Sequence, residues 1–264
     1  MPAGWDCHVH VFDATLPVCE GHYRPPTRTL QEIESLAADH GVGHLVLVQP
    51  SVYGHDHSLL LQALCAAPGR HRGVAVLAAD VADTELDVLH AAGVRGVRIN
   101  RVSPVGNRGD PAALLQALAP RLRERGWHVQ WYVPAQELPL LPALQQETSL
   151  PFVLDHLGGM GLSVPDDAVE WTALSALADG GAWVKLSGWY RLDAAAPFDV
   201  LHGRIARVAS LFGTNCVWGS DWPHTGQPAD PPLPYTATWA PVVAAMATPA
   251  PAAVRTAAAA RLYA

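Results

Sequence analysis

The chain has 264 residues, half of them hydrophobic, which is enough to bury a sizeable core. Its formal charge of -7 argues against a nucleic-acid surface, and no apolar stretch is long enough to span a membrane. Four cysteines without a Cys-x-x-Cys spacing, and a start with no basic region ahead of an apolar run, predict reduced thiols, no signal peptide and a cytoplasmic location.

Eight short apolar runs recur along the chain, most of them followed by a helical pattern. The first is 5–10, and a loop rich in Pro and Arg leads on to a helix at 30–39. The second, 44–49, is stopped by Pro50, and a helix follows at 58–67. The third is 73–78, with a helix at 84–92. The fourth is 96–100, with a helix at 111–125 that has Pro in its first turn. Runs five and six are 128–133 and 152–156, each followed by a helix. The seventh is 183–187, with a helix at 199–212. The eighth is 216–221. A proline-rich loop at 226–234 then crosses to one Ala-rich helix ending at Leu262.

Apolar runs alternating with helices read as buried parallel strands. Eight such units predict one (β/α)8 barrel domain over 1–264, of the TIM-barrel class. The alternative is an open doubly wound sheet. His10, Gln49, Arg98, Tyr132, His156, Ser187 and Asp221 all stand at strand ends and could meet only if the sheet closes, which favours the barrel.

Several of these strand ends carry chemistry. In Asp6-Cys7-His8-Val9-His10, strand alternation predicts His8 and His10 on one side with Asp6 below them, and Cys7 facing away. Two imidazoles there can hold a metal or polarise a carbonyl. Asp221 closes the eighth run and, in a barrel, would stand beside the first strand. Asp155 and His156 should point to opposite faces, and register selects His156 for the site. Arg98, inside its strand, is the best of the arginines for binding a carboxylate, ahead of Arg101 and Arg191. His55 and His57 lie on a loop, where a His-x-His spacing has no fixed geometry. No nucleophilic Ser or Cys motif is present, and the glycines at 158–161 lack the dinucleotide spacing.

Asp6-Cys7-His8-Val9-His10-Val11-Phe12, Gly93-Val94-Arg95-Gly96-Val97-Arg98-Ile99-Asn100, Asp155-His156-Leu157-Gly158 and Trp218-Gly219-Ser220-Asp221-Trp222-Pro223-His224 resemble the amidohydrolase superfamily, as do Gly126-Trp127-His128-Val129 and Arg261-Leu262-Tyr263. The branch they resemble contains the 2-pyrone-4,6-dicarboxylate lactonases and related sugar-lactone hydrolases. The resemblance implies hydrolysis of a cyclic ester at the C-terminal ends of the strands. It implies His8, His10, His156 and Asp221 as the catalytic core, with Ser51, Arg98, Tyr132, Arg191 and His224 binding substrate. Gly159, Gly226 and Pro104 replace polar groups of the pyrone lactonase, which points to a monocarboxylated or neutral lactone. The resemblance implies no required metal. If one is bound, a single zinc on His8, His10 and Asp221 is the expectation, because the fifth strand ends in Tyr132 and the fourth offers no bridging ligand.

The expected reaction has Asp221 as general base on water, with the three histidines donating hydrogen bonds to the carbonyl oxygen. The partner is a small-molecule lactone, with a homo-oligomer left open. The alternatives are a lactone isomerase or decarboxylase of the same superfamily, and a barrel that binds a small acid without turnover.

Overall fold

The computed structural model describes residues 3–227, 232–247 and 250–264. The apolar runs form strands β1 (Gly4–Val9), β2 (Val42–Val48), β3 (Arg72–Ala75), β4 (Val94–Asn100), β5 (His128–Tyr132), β6 (Phe152–Leu154), β7 (Trp183–Leu186) and β8 (Cys216–Trp218). Each pairs in parallel with the next in sequence order. The ring closes where β8 returns to β1: Asp221 N–H donates to His8 O and His10 N–H to Trp222 O, both at 2.8 Å. This is the predicted (β/α)8 barrel.

Helices α1 (Leu30–Ala38), α2 (Ser58–Ala66), α3 (Asp83–Ala92), α4 (Pro111–Glu124), α5 (Leu141–Thr148), α6 (Val169–Asp179) and α7 (His202–Phe212) cover the outside. Their ends follow local chemistry. Thr29 and Glu32 form a capping box on α1, and Asp110 caps α4 ahead of Pro111. Beyond β8 the single expected helix is three: α8 (Tyr235–Ala245), α9 (Ala250–Arg255) and α10 (Ala257–Tyr263). Met246 turns extended after α8, and Thr256 leaves helical geometry between α9 and α10. Part of the predicted proline-rich loop lies outside the described residues.

The core has two layers. Val9, Leu45 and Leu47 face outward and pack with Ile33 and Leu60 of the helices. Val46, Val48, Val74, Val153 and Val217 face inward with Cys7. Tyr263 fills the bottom of the barrel, fully buried and stacked on Trp5 with ring centroids 6.1 Å apart.

The first strand departs from regular alternation. Asp6 pairs with Leu45 but Val9 pairs with Leu47, so Cys7 and His8 together face the single position of Val46. A bulge of this kind re-aims side chains and is common beside functional sites. Cys7 therefore points into the barrel, contrary to the simple alternation, and His8 points inward above it. Asp6 turns outward instead of lying below the histidines. There it accepts from Ser220 N–H and Tyr235 Oη–H, each at 2.8 Å, and so ties β1 to the segment after β8 and to α8.

Candidate active site

Above the inner valines the barrel lining becomes polar. His8 Nε2 and His10 Nε2 are 3.3 Å apart, and Asp221 Oδ1 lies 3.5 and 3.4 Å from them. His156 Nε2 is 3.9 Å from Asp221 Oδ2. The four expected core residues are thus brought together, and all four are buried. Two glycines make the approach feasible. A Cβ on Gly219 would sit 2.5 Å from the His8 Cβ, and one on Gly188 would sit 2.2 Å from His156 Nδ1.

The loop backbones supply the rest. His156 and Asp221 both adopt left-handed φ, 51° and 62°, just past their strands. At His156 this breaks the alternation, so Asp155 enters the barrel as well, against the expectation that only one of the two would. Asp155 Oδ2 accepts from Gln130 Nε2 at 3.0 Å and from Arg98 Nε at 3.4 Å. Its Oδ1 lies 3.3 Å from His8 Nδ1.

The partners of the imidazoles define their protons. His10 Nδ1 is 2.7 Å from Val48 O, and a carbonyl only accepts, so Nδ1 carries the hydrogen. His8 Nδ1 lies 3.3 Å from Asp155 Oδ1, which has no other donor, and 3.4 Å from Lys185 Nζ; the carboxylate can only accept and so favours a hydrogen on Nδ1. Both Nε2 atoms are then bare when the rings are neutral, and they meet Asp221 Oδ1, which has no hydrogen-bond donor. Neutral His8 and His10 cannot both donate to a carbonyl, contrary to the expectation for them. Three lone pairs aimed at one point call for a cation there, a shared proton or a metal ion. Ligands of a tetrahedral zinc, with bonds of about 2.0–2.1 Å, lie about 3.4 Å from one another. The three observed separations fit this, so the donor set suits a zinc ion. His156 differs: Ser187 Oγ lies 3.0 Å from its Nδ1, and its Nε2 has no partner.

Charges are set by burial and neighbours. Burial alone would raise the Asp221 carboxyl, but Arg191, His156 and the other histidines hold it well below the usual range. His8, Lys185 and Arg98 do the same for Asp155 against its burial. Burial pushes His156 down to about 4 and His128 to about 3, and lowers His8 well below its ordinary value. Burial raises Asp6 to about 6.

These shifts predict the pH dependence of stability. Unfolded histidines take up protons near pH 6.5, whereas the three buried ones resist until well below that. Their contribution is complete above pH 6.5 and is lost as the pH falls through 6.5 towards 4. Asp6 works in the opposite sense, favouring the fold below about 4 and losing that contribution as the pH rises through 6. Three groups outweigh one, at about 2 kcal/mol for each histidine by pH 5. The unfolding midpoint should therefore drop between pH 7.5 and 5. A midpoint that holds or rises would mean that these rings are not buried neutral.

A cavity of about 150 Å³ opens beside the cluster, lined by His10, Ser51, Arg98, Asn100, Tyr132 and Arg191, with His22, Tyr23 and Thr225 nearer its mouth. Arg98 and Arg191 approach the Tyr132 ring, 5.4 and 5.8 Å from its centroid. The terminal nitrogens of Arg98 bond to no protein group among the described residues. Asp221 lies just behind the cavity wall. Its Oδ2 accepts from Arg191 Nε at 2.7 Å and Tyr190 Oη–H at 2.6 Å.

Other expectations resolve differently. His224 does not line this cavity: it packs edge-on behind Tyr190 and lines a neighbouring one. Gln49 turns away to hold the loop after β2 through Gly54 O, Asp56 O and Val76 N–H. His57 bonds Glu85 and Val76 O, so the loop histidines form no joint site. Arg101 pairs with Glu137 outside the cavity. Tyr190, Lys185, Gln130 and Asn100 were not singled out from sequence. Of these, Lys185 and Gln130 left a signal as polar residues inside largely apolar strands, and Asn100 one as a polar residue ending a strand.

A parallel barrel with one imidazole at the end of β1, a second just past it, a third after β6 and a carboxylate after β8 is the architecture of a metal-dependent or metal-free barrel hydrolase. The Amidohydrolase family matches residues 5–263, and this chain belongs to it. The chain is 31% identical over 240 residues to a 2-pyrone-4,6-dicarboxylate hydrolase of Comamonas testosteroni, covering 85% of this chain and 78% of the relative. It is 29% identical over 232 residues to a 4-sulfomuconolactone hydrolase of Rhizobium radiobacter, covering 86% and 78%. An Acinetobacter baumannii crystal structure, described as a probable 2-pyrone-4,6-dicarboxylic acid hydrolase with citric acid bound, superposes with a TM-score of 0.88 at 27% identity over 98% of each chain. A Burkholderia multivorans amidohydrolase with bound zinc shares the fold, with a TM-score of 0.78 at 21% identity over 99% of each chain.

Proposed function

We propose that this chain is a cytoplasmic hydrolase that opens a small lactone carrying one anionic group, with one barrel domain over 1–264 doing the work. The observation that carries this reading is the meeting of His8 Nε2, His10 Nε2 and Asp221 Oδ1 beside a cavity walled by two arginines. The hydrolases among its relatives act on anionic lactones by their names, which fits such a cavity.

Asp221 is the base. A water above it attacks the lactone carbonyl carbon, and Oδ1 takes the water's proton. Charge developing on the carbonyl oxygen is met by a proton that His10 Nε2 carries and the bare His8 Nε2 accepts, and by His156 Nε2–H. The ring C–O bond then breaks, and Asp221 returns its proton to the departing ring oxygen. The product is a hydroxy acid, formed by addition of one water.

Arg191 covers Asp221 in the absence of substrate. A carboxylate entering the cavity draws its guanidinium off Oδ2, which lets Asp221 become more basic as substrate binds. The terminal nitrogens of Arg98 face the same space and bind the anion. Arg98→Met should accordingly raise KM for an anionic lactone about tenfold and lower kcat less, while a neutral lactone is little affected. Equal losses on anionic and neutral lactones would show that Arg98 does not read the anion.

If a zinc ion is bound, His8, His10 and Asp221 would hold it, and it would supply Lewis-acid polarisation of the carbonyl. We favour a reaction with no required metal. Arg98, Lys185 and Arg191 already place three cations around two carboxylates, Asp155 and Asp221, so a divalent ion adds to an excess of positive charge while a shared proton adds less. Kinetics on lactones that differ only in charge is the experiment that tests the substrate reading.

A further inference from the structure

We propose that Lys185 is a positioning residue that, through Gln130 and Asp155, fixes which nitrogen of His8 faces the reaction. This deepens the function proposed above and rests on its placing of His8 at the lactone carbonyl.

Lys185 lies inside the barrel on β7, with no exposed surface. A lysine is almost never buried without partners, because desolvating an ammonium is costly. Its Nζ donates to Gln130 Oε1 at 2.6 Å. That contact settles the amide of Gln130: with Oε1 accepting from lysine, the Nε2 hydrogens must point elsewhere. They point to Asp155 Oδ2 at 3.0 Å. Lys185 Nζ also lies 3.4 Å from Asp155 Oδ1. Lysine, amide and carboxylate thus form a closed ring below the cavity, out of contact with solvent.

The ring reaches the cavity at two points: Arg98, whose Nε lies 3.4 Å from Asp155 Oδ2, and His8. His8 Nδ1 lies 3.3 Å from Asp155 Oδ1 and 3.4 Å from Lys185 Nζ, so a carboxylate and an ammonium compete for one atom. The two would impose opposite tautomers. An ammonium donating to Nδ1 would put the ring hydrogen on Nε2, and a carboxylate accepting from Nδ1 leaves Nε2 bare. Lys185 is drawn to Gln130 by the shorter contact, and Asp155 is held in reach of His8 by Gln130. His8 therefore keeps its hydrogen on Nδ1 and turns a bare Nε2 to His10 and Asp221. Outer partners of this kind orient imidazoles in many sites, and losing one costs about 10–100-fold in activity.

Nitrogen NMR of protein labelled with 15N-histidine tests this directly, using the whole chain after dialysis against a strong chelator, so that no metal on Nε2 imposes the tautomer. His8 is assigned by its absence from His8→Asn. The parent should show His8 protonated at Nδ1 and bare at Nε2. In Lys185→Met and in Gln130→Met that pattern should give way to a mixture of tautomers. With a lactone that turns over, kcat should fall about 10–100-fold in both variants with KM within about threefold, and the double variant should be no worse than the poorer single one. A parent His8 protonated at Nε2 overturns the proposal, as does a folded Lys185→Met with the parent tautomer and a kcat within threefold of the parent. If Lys185→Met does not fold, the parent spectrum and Gln130→Met decide in the same terms. The spectra need no substrate, so failure to find a lactone would count against the proposed function and leave this inference standing or falling by itself.

Discussion

Asp221→Asn is expected to lower kcat by at least about a hundredfold while leaving the barrel folded, the scale of losing a general base. The substitution keeps the shape of the side chain. The amide still offers an oxygen to Arg191 and Tyr190 Oη–H, which lie 2.7 and 2.6 Å from Oδ2 in the parent. It cannot take a proton from water. It also places an NH2 group or a weaker acceptor at the point where the two Nε2 atoms converge, which disturbs the shared proton as well. The fold should hold because Asp221 closes the barrel through its main chain, its N–H donating to His8 O. Some stability should be lost, since Arg191 is left facing a neutral group. Circular dichroism and a cooperative melt establish folding, and steady-state kinetics give the loss. Turnover within a few-fold of the parent would remove Asp221 from the chemistry.

The second large effect concerns cations. Dialysis against a strong chelator should leave the rate within about twofold of the untreated enzyme, and excess zinc should then suppress turnover. The physical reason is the same for both halves. His8 Nε2, His10 Nε2 and Asp221 Oδ1 have separations that suit a tetrahedral ion, so added zinc can occupy them. Once there it takes the lone pair with which Asp221 would accept the water's proton. Inductively coupled plasma analysis of the same samples gives the metal content. Stoichiometric zinc in active protein, lost together with activity and restored with it, would overturn the metal-free reading while keeping the same three residues at the centre.

Much of this was legible in the sequence because buried parallel strands write themselves as apolar runs bounded by Pro, Gly and capping residues. Arg98, Tyr132 and His10 could be found because each ends or nearly ends such a run, and a polar group there has few packing explanations. Three things were hidden, each for a physical reason. The bulge at Cys7 and His8 leaves no trace in an apolar pattern, since it is defined by the register against Leu45 and Leu47. Asp155 was set aside by the strand's period of two, which stops applying at the left-handed His156. Tyr190 and Lys185 matter only through groups far away in the chain, Asp221 for the one and Gln130 with Asp155 for the other. The Ala-rich end misled in the opposite direction: its alanines outweighed the breaks that Pro249 and Pro251 announce, and Thr256 leaves helical geometry between α9 and α10.

The central claim is that this barrel adds water to a cyclic ester. It is tested most directly by incubating the protein in H2-18O with monocarboxylated lactones, including muconolactone-type and sugar-acid lactones, and weighing the products. The account predicts a hydroxy acid with a single 18O, located in the newly formed carboxylate, and no such product with Asp221→Asn. A rearranged lactone without 18O would show an isomerase, loss of carbon dioxide would show a decarboxylase, and binding of these acids without turnover would show a sensor. Any of the three would contradict it.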